Sequence, residues 1–435
     1  MHEIDIGAVD LLSALLTLSE SGTVCILDSC GVGYLGSHLL VAGIEPVETV
    51  EISNDDPNAT LTLLDEKLRG DRASIFTISY DFGRKLLNIE SGQSRREDQA
   101  EPDIFLAMFD VLIVHDYSTR RTRLAGNSER FNTIERKLTS SISDLKFEIS
   151  NSVEVRSNFT KPEYLAAIRT IQERIRSGDT YQTNLTQQLT AEFPQCADTA
   201  SIFARLRREH PAPFSAFIKR ERSAVVSASP ERFFKIDGRT ISTSPIKGTR
   251  PRGRTAAEDA ALRAELLTSA KDRAENTMIV DLLRNDIGRV CRYGSVHIEK
   301  LCDLEEHPTF FHLVSTVSGE LRPNATFSDI LRAVFPCGSI TGAPKISTMW
   351  IIDEIEPSDR GLSMGAIGYY APPAFGLPAT FDLSVAIRTM VVRDGDGTFN
   401  VGGGITIDSD PEQEYEESLV KAKALLNAIS GTFSA

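Results

Sequence analysis

No Pro/Ser/Gly-rich linker divides the 435 residues of this chain, although that length by itself suggests two or three domains. Strand-like segments stand on both sides of the middle. VCILDSC, ASIFTIS and FDVLIVHDY, in the first 150 residues, are short apolar runs bounded by polar turns. FSAFIKR, AVVSASP, RFFKIDG and TISTSP repeat that pattern further on. SGQSRREDQAEPD reads as an exposed loop. Helical spacing of apolar residues marks TKPEYLAAIRTIQERIRSG, which ends on Gly178, a long region from Thr255 to about Val290, and PEQEYEESLVKAKALLNAI near the C-terminus. Two intimately packed layers suit this arrangement better than two separate beads. An N-terminal region, 1–150, is expected to pack into the same body as a second region, 159–435.

The composition is that of an ordinary folded protein, 41% hydrophobic and 25% charged. No run of apolar residues is long enough to span a bilayer. MHEIDIGAVDLL lacks the basic-then-apolar order of a signal peptide. The net charge of −14 argues against nucleic acid, whose phosphates call for a basic footprint. An anionic small substrate stays open, because one buried Arg or one metal dominates a local field. Cys25, Cys30, Cys196, Cys291, Cys302 and Cys337 form no C-x-x-C pair and are expected to be reduced thiols in a cytoplasmic protein.

Gly31, Gly33 and Gly36 make a G-x-G-x-x-G after VCILDSC, with Glu51 further on. That pattern can cradle a dinucleotide pyrophosphate at a helix start. LLVAGIEPVETVEIS, however, is β-branched and Pro-interrupted, so strand–turn–strand is the expected structure, with glycines supplying positive φ.

Two acidic helical faces lie far apart in the chain. Asp272 and Glu275 are three residues apart in AKDRAENTMIVDLLRNDIGRV. Glu414, Glu417 and Lys421 share a face of PEQEYEESLVKAKALL. Oxygen-rich clusters suit Mg²⁺, which takes carboxylates, water and substrate oxygens; a solvated charged face is the plain alternative. In PIKGTRPRG, Lys247 stands at a strand end beside a glycine, a position open to a substrate-facing nucleophile or to an ordinary surface cation. Glu231, in SASPERFF, is a candidate general acid. FPCGSITGAPK does not have the spacing of a phosphate loop. The glycines of GGGIT can present N–H groups to an anion, and Arg388 in SVAIRT can pair with a carboxylate.

The ordered set GDTYQTNLTQ, SASPERFF, PIKGTRPRG, KDRAENTMIVDLLRNDIGRV, FHLVSTVSGEL, FPCGSITGAPK, GAIGYY, AIRT, GGGIT and EYEES resembles the chorismate-utilising enzyme family, from about Tyr164 to the C-terminus. The resemblance implies the anthranilate-synthase-like α+β fold, two large antiparallel sheets packed face to face with helices outside. It also implies Mg²⁺ held by Glu275 and Glu417, with Glu414 and Asp272 helping directly or through water. Gly248, Thr249, His312, Ser339, Arg388, Gly402, Gly403, Gly404 and Lys421 match substrate-lining positions, and Glu231 matches the family's general acid.

Two positions sort the family's branches. Lys247 in P-I-K-G-T resembles the branch that aminates ring carbon 4, where this lysine adds to carbon 2 and is later expelled by ammonia. Gln182 stands where the isochorismate- and salicylate-forming branches carry a water-activating lysine. Both imply para-amination toward 4-aminobenzoate and folate; the anthranilate-forming branch is the nearest rival, and a catalytically silent chorismate-binding subunit the rival of another class. No glutaminase motif is present, so the resemblance implies ammonia from a separate glutamine amidotransferase subunit and a downstream lyase acting on the aminated product. Ser363 stands where the anthranilate-forming branch has tyrosine, and Cys337 where glycine is commoner. The N-terminal 150 residues resemble the family weakly, with LDSCGVGYLGS lying in a region that forms a tryptophan pocket in anthranilate synthase.

Overall fold

The computed structural model describes residues 1–433 apart from Tyr34, Ser37, 90–100, 144–152, 194–196 and 307–309. Most of the loop expected over 91–103 therefore lies outside the described residues, as does Cys196. Glu101 and Asp103, at its end, are not solvated: their side chains are buried against Arg220 and Lys85.

The described strands form one thirteen-stranded and one ten-stranded sheet. Every described pair is antiparallel except the one between Val153–Ser157 and Gly431–Phe433. The first sheet runs from His2–Ile4 through Val24–Asp28 and Phe214–Lys219 to Asp396–Ile405, Gln182–Glu192 and Gly431–Phe433. The second runs from Ile246–Pro251 and Phe310–Glu320 through Arg232–Asp237 and Phe381–Val385 to Ala73–Ile78, Ile104–Phe109 and Glu48–Ile52. Strands from the first 126 residues thus enter both sheets.

Alternation along the strands explains the layers. Ile75, Phe105, Ala107 and Phe109 of one sheet pack against Cys25, Val41, Leu112, Ile218 and Val225 of the other, all buried. Side chains of this kind contribute roughly 1.5–3 kcal/mol each when fully buried. The outer faces carry helices, with separate cores beneath them. No helix among the described residues is long and apolar enough to cross a membrane.

Three sequence expectations are refined. The Gly31 segment joins Val24–Asp28 to Leu39–Ile44, an antiparallel pair, so strand–turn–strand holds, and among the described residues no helix follows the glycines. Gly31 and Gly36 both have positive φ, +70° and +71°. The long helical region is two helices, Ala256–Thr268 and Ala270–Gly288. They break at Ser269, whose extended backbone lets its hydroxyl accept the Asp272 N–H at 3.2 Å. The first helix of the second region spans Lys161–Arg176, closed at its start by a Thr160–Glu163 capping box.

The Gln182–Glu192 strand shows how period two builds a site. Leu185 and Leu189 pack under helices, whereas Gln182, Asn184 and Thr186 alternate with them and are buried polar groups.

Candidate active site

The chain passes from one sheet to the other at two places that lie side by side. Ser223–Ser229 belongs to the thirteen-stranded sheet and Arg232–Asp237 to the ten-stranded one, and Glu231 stands in the turn between them. Phe381–Val385 and Thr389–Arg393 make the reverse passage, with Arg388 in the connection at φ +48°. The crossovers are tied by Val385 N–H donating to the Glu231 carbonyl at 3.0 Å and Ala228 N–H donating to the Arg388 carbonyl at 3.0 Å.

Glu231 is 6% exposed, and its Oε1 has no hydrogen-bond partner among the described residues. Burial pushes its carboxyl above the usual range; the Ser339 hydroxyl and the Lys247 ammonium oppose that rise. Lys247 lies in the Ile246–Pro251 strand, where pairing with Phe310–Glu320 slips between Ile246 and Thr249. Gly248, at φ +83°, takes up that irregularity, and a bulge of this kind re-aims a side chain. The ammonium of Lys247 stands 3.5 Å from the Ser339 carbonyl oxygen. Ser339 itself sits in the short turn Gly338–Ile340, and its hydroxyl is 3.2 Å from the Cys337 thiol. Acid, lysine and Ser339 therefore meet.

Thr249 and His312 face each other across paired strands, Oγ1 to Nδ1 at 2.8 Å. A Cβ on Gly248 would come within 3.0 Å of Asp272, so glycine lets this strand lie against the acidic helix. Gln182 is 1% exposed, and its Oε1 has no partner among the described residues. A Cβ on Gly404 would stand 2.0 Å from the Gln182 amide nitrogen, and one on Gly402 1.9 Å from the Leu185 carbonyl oxygen. One on Gly403 would lie 3.3 Å from both Glu414 and Lys421. The glycines hold space for the neighbouring strand and for the acidic helix.

The carboxylates come from helices on different sheets. Ala270–Gly288 carries Asp272 and Glu275; Pro411–Ala428 carries Glu414 and Glu417. The Glu275 carboxylate has no hydrogen bond or ion pair among the described residues, and its pKa is pushed up by burial, with Asp272 and Glu414 adding to the effect. Glu414 is also raised, by burial and then by Glu417, although Ser409 donates to it at 2.7 Å. Burial opposes ionisation of Glu417 too, but Lys421, Lys271 and Lys247 outweigh it and hold that carboxyl low. Lys421 bridges Glu417 at 2.8 Å and the Gly402 carbonyl at 2.8 Å. Asp272 pairs with Arg250 at 3.1 Å. Among the described residues no three acidic, His or Cys side chains form a ready-made metal shell. The donor chemistry nevertheless fits a hydrated divalent ion: unpartnered, charge-crowded Glu275 faces a second carboxylate helix, and Mg²⁺ fills most positions with water and substrate oxygen.

The Arg388 guanidinium makes no hydrogen bond or ion pair among the described residues, and burial alone draws its pKa down. A desolvated guanidinium without a carboxylate is a ready receptor for an anion. Lys271 and Arg250, which bring positive charge to the acidic helix, are not singled out by sequence reasoning. Their signal is adjacency to motif residues, in AKDRAEN and KGTRP.

Known proteins bear the same architecture. The family model described as chorismate binding enzyme matches residues 25–427. Aminodeoxychorismate synthase component 1 of Escherichia coli (strain K12) is 39% identical over 350 residues, 80% of this chain and 75% of that protein. Anthranilate synthase component 1 of Aquifex aeolicus is 37% identical over 344 residues, 75% of this chain and 68% of the other. The crystal structure of anthranilate synthase component I from Streptococcus pneumoniae superposes with a TM-score of 0.74 at 28% identity, covering 90% of this chain and 93% of that one. Two packed sheets with helices outside and a polar site at their crossovers define an enzyme of the anthranilate-synthase-like fold. The chain belongs to the chorismate binding enzyme family, and it acts on chorismate.

Proposed function

We propose that the chain converts chorismate and ammonia to 4-amino-4-deoxychorismate, acting as component 1 of an aminodeoxychorismate synthase in 4-aminobenzoate and folate synthesis. The observation that carries this reading is Lys247. Its ammonium stands between the Ser339 turn that contacts Glu231 and the carboxylates Glu275 and Glu417. A nucleophile placed between a general acid and an anion-holding cluster suits displacement on a ring that carries both a carboxylate and a leaving hydroxyl.

In this reading Lys247, once neutral, adds through Nζ to ring carbon 2, both ring double bonds shift toward carbon 4, and the 4-hydroxyl departs. Neutral Glu231 gives its proton to that oxygen, so water leaves and the carboxylate remains. Ammonia then adds at carbon 4, both double bonds shift back, and the lysine nitrogen leaves carbon 2. Arg388 pairs with a substrate carboxylate. Glu275 and Glu417, with Asp272 and Glu414, hold Mg²⁺, which supplies charge neutralisation to the ring carboxylate when bound. Gln182 offers an amide that cannot act as a base for water, which leaves ammonia as the nucleophile.

Ammonia comes, in the same reading, from a separate glutamine amidotransferase subunit in the cytoplasm, and a lyase consumes the product. Support comes from relatives named component 1, and from the five free cysteines among the described residues.

The test incubates the chain with chorismate, Mg²⁺ and ammonium and identifies the product with and without added lyase. A 4-amino product that Lys247→Ala fails to form at low ammonium is expected. Fluorescent anthranilate with pyruvate release would place the chain in the ortho-aminating branch, and chorismate binding without turnover would make it a silent subunit.

A further inference from the structure

Arg360 and Glu356 form a buried pair that belongs to none of the motifs above. Their side chains are 1% and 3% exposed. The guanidinium donates to both Glu356 oxygens, at 2.9 and 2.8 Å, and lies over the Tyr80 ring at 4.5 Å. Its remaining N–H groups leave the pair. NH2 donates to the Asn184 carbonyl at 2.7 Å and NH1 to the Ile340 carbonyl at 3.2 Å. Glu356 in turn accepts the Thr186 N–H at 2.7 Å and its hydroxyl at 3.0 Å.

Those carbonyls explain why a buried charge pair stands here. Gly342–Ala343 pairs with Gln182 and Thr183, and Asn184 N–H still reaches the Thr341 carbonyl at 2.8 Å. There the segment turns away into Gly338–Ile340, carrying Ser339 toward Lys247 and Glu231. A strand that loses its neighbour leaves backbone acceptors without donors in the interior, which is costly. The planar fork of an arginine supplies two donors across such a gap, and a lysine, as a point charge, does not reproduce that geometry.

We propose that Arg360, held by Glu356, is a positioning residue: it replaces the missing strand partner and fixes the Ser339 turn relative to the Gln182 strand. It touches neither substrate nor reacting atoms. The turn it fixes carries the carbonyl that contacts the Lys247 ammonium and the hydroxyl that contacts Glu231. Displacement of that turn by about 1 Å is expected to cost on the order of 10²-fold in turnover. Arg388 and the two acidic helices do not depend on this clamp, so chorismate binding is expected to survive.

The inference rests on the amination reading above for the roles of Lys247 and Glu231. In the full chain, Arg360→Lys is expected to lower kcat by about 10- to 100-fold, with the KM for chorismate within about threefold of normal. Its loss should be less than additive with that of Ser339→Ala, because both act on one turn. Should Arg360→Lys fail to fold, Thr186→Val, which removes the hydroxyl that donates to Glu356 at 3.0 Å and accepts from the Asn400 amide at 3.1 Å, is expected to show the same split at a few-fold size. An Arg360→Lys enzyme at full kcat, a rise in KM equal to the fall in kcat, or strict additivity with Ser339→Ala would overturn the proposal. The wild-type product keeps the two questions apart: anthranilate would sink the para-amination reading, while the kcat–KM split would still test Arg360 on that product.

Discussion

Replacement of Glu231 by Gln separates chemistry from stability and moves them in opposite directions. Burial makes the ionised carboxylate costly in the fold, whereas in the unfolded chain the same group ionises near pH 4.3, the ordinary value for Glu. A carboxyl raised in this way contributes stability that is complete below the unfolded value and is lost as pH climbs through the folded value. Glutamine carries no such loss. Glu231→Gln is therefore expected to melt higher than the parent at pH 8, with the difference shrinking toward zero near pH 4. Catalysis should suffer instead, since a general acid accounts for about 10²- to 10⁴-fold in rate, or roughly 2.7–5.4 kcal/mol of barrier. The measurements are kcat at saturating chorismate, Mg²⁺ and ammonium across pH 6–9, and Tm across pH 4–8. In the parent, kcat should fall on the alkaline side as the acid ionises. Ser339→Ala, which removes a donor to the carboxylate, should move that fall to higher pH. Near-normal turnover by Glu231→Gln would refute the acid role, and a melting temperature below the parent's at every pH would refute the burial argument.

Three other outcomes are expected. Arg388→Ala should raise the KM for chorismate by about 10- to 100-fold, because a charge-assisted hydrogen bond is worth about 1.5–3 kcal/mol; isothermal titration with chorismate checks it. Gly402→Ala and Gly404→Ala should part company. The first drives a Cβ to 1.9 Å from backbone and should lower Tm, overpacking typically costing about 1–3 kcal/mol. The second meets the movable end of Gln182 and should change kcat or KM with Tm nearly kept. Chelation should abolish turnover with Mg²⁺ restoring it, and Glu275→Gln should weaken Mg²⁺ binding as read by Mg²⁺-dependent thermal shift, whatever the activity.

Local chemistry is what the chain displays openly. Short apolar runs bounded by polar turns foretell the strands around Cys25, Ile75 and Val225, and the i, i+3 spacing of Asp272 and Glu275 foretells a shared helix face. The break at Ser269 is less visible, although Ser269 with Asp272 three residues on is itself a helix-start signal. Sheet membership is not legible at all, because pairing partners are distant in the chain: nothing local says that Ser229 and Arg232 belong to different sheets. Glu356 and Arg360 look like an ordinary i, i+4 surface pair, and their burial depends on Tyr80, Thr186 and Ile340 arriving from elsewhere.

The crossovers connect these two kinds of information. A side chain within a sheet is committed to one face, toward a helix layer or toward the other sheet. A residue between strands of different sheets is free of that alternation and can reach the space where the layers diverge. Glu231 and Arg388 occupy such positions, and Lys247 reaches the same space from a bulge that also breaks alternation. Glu231 and Arg388 are enclosed where both sheets close, so their altered proton affinities are properties of the assembled pair of layers. Strands from the first 126 residues enter both sheets. The residues that carry no motif thus help to build the two layers that raise the pKa of the Glu231 carboxyl and lower that of the Arg388 guanidinium, and the candidate site belongs to the whole body even though its side chains come from the later part of the chain.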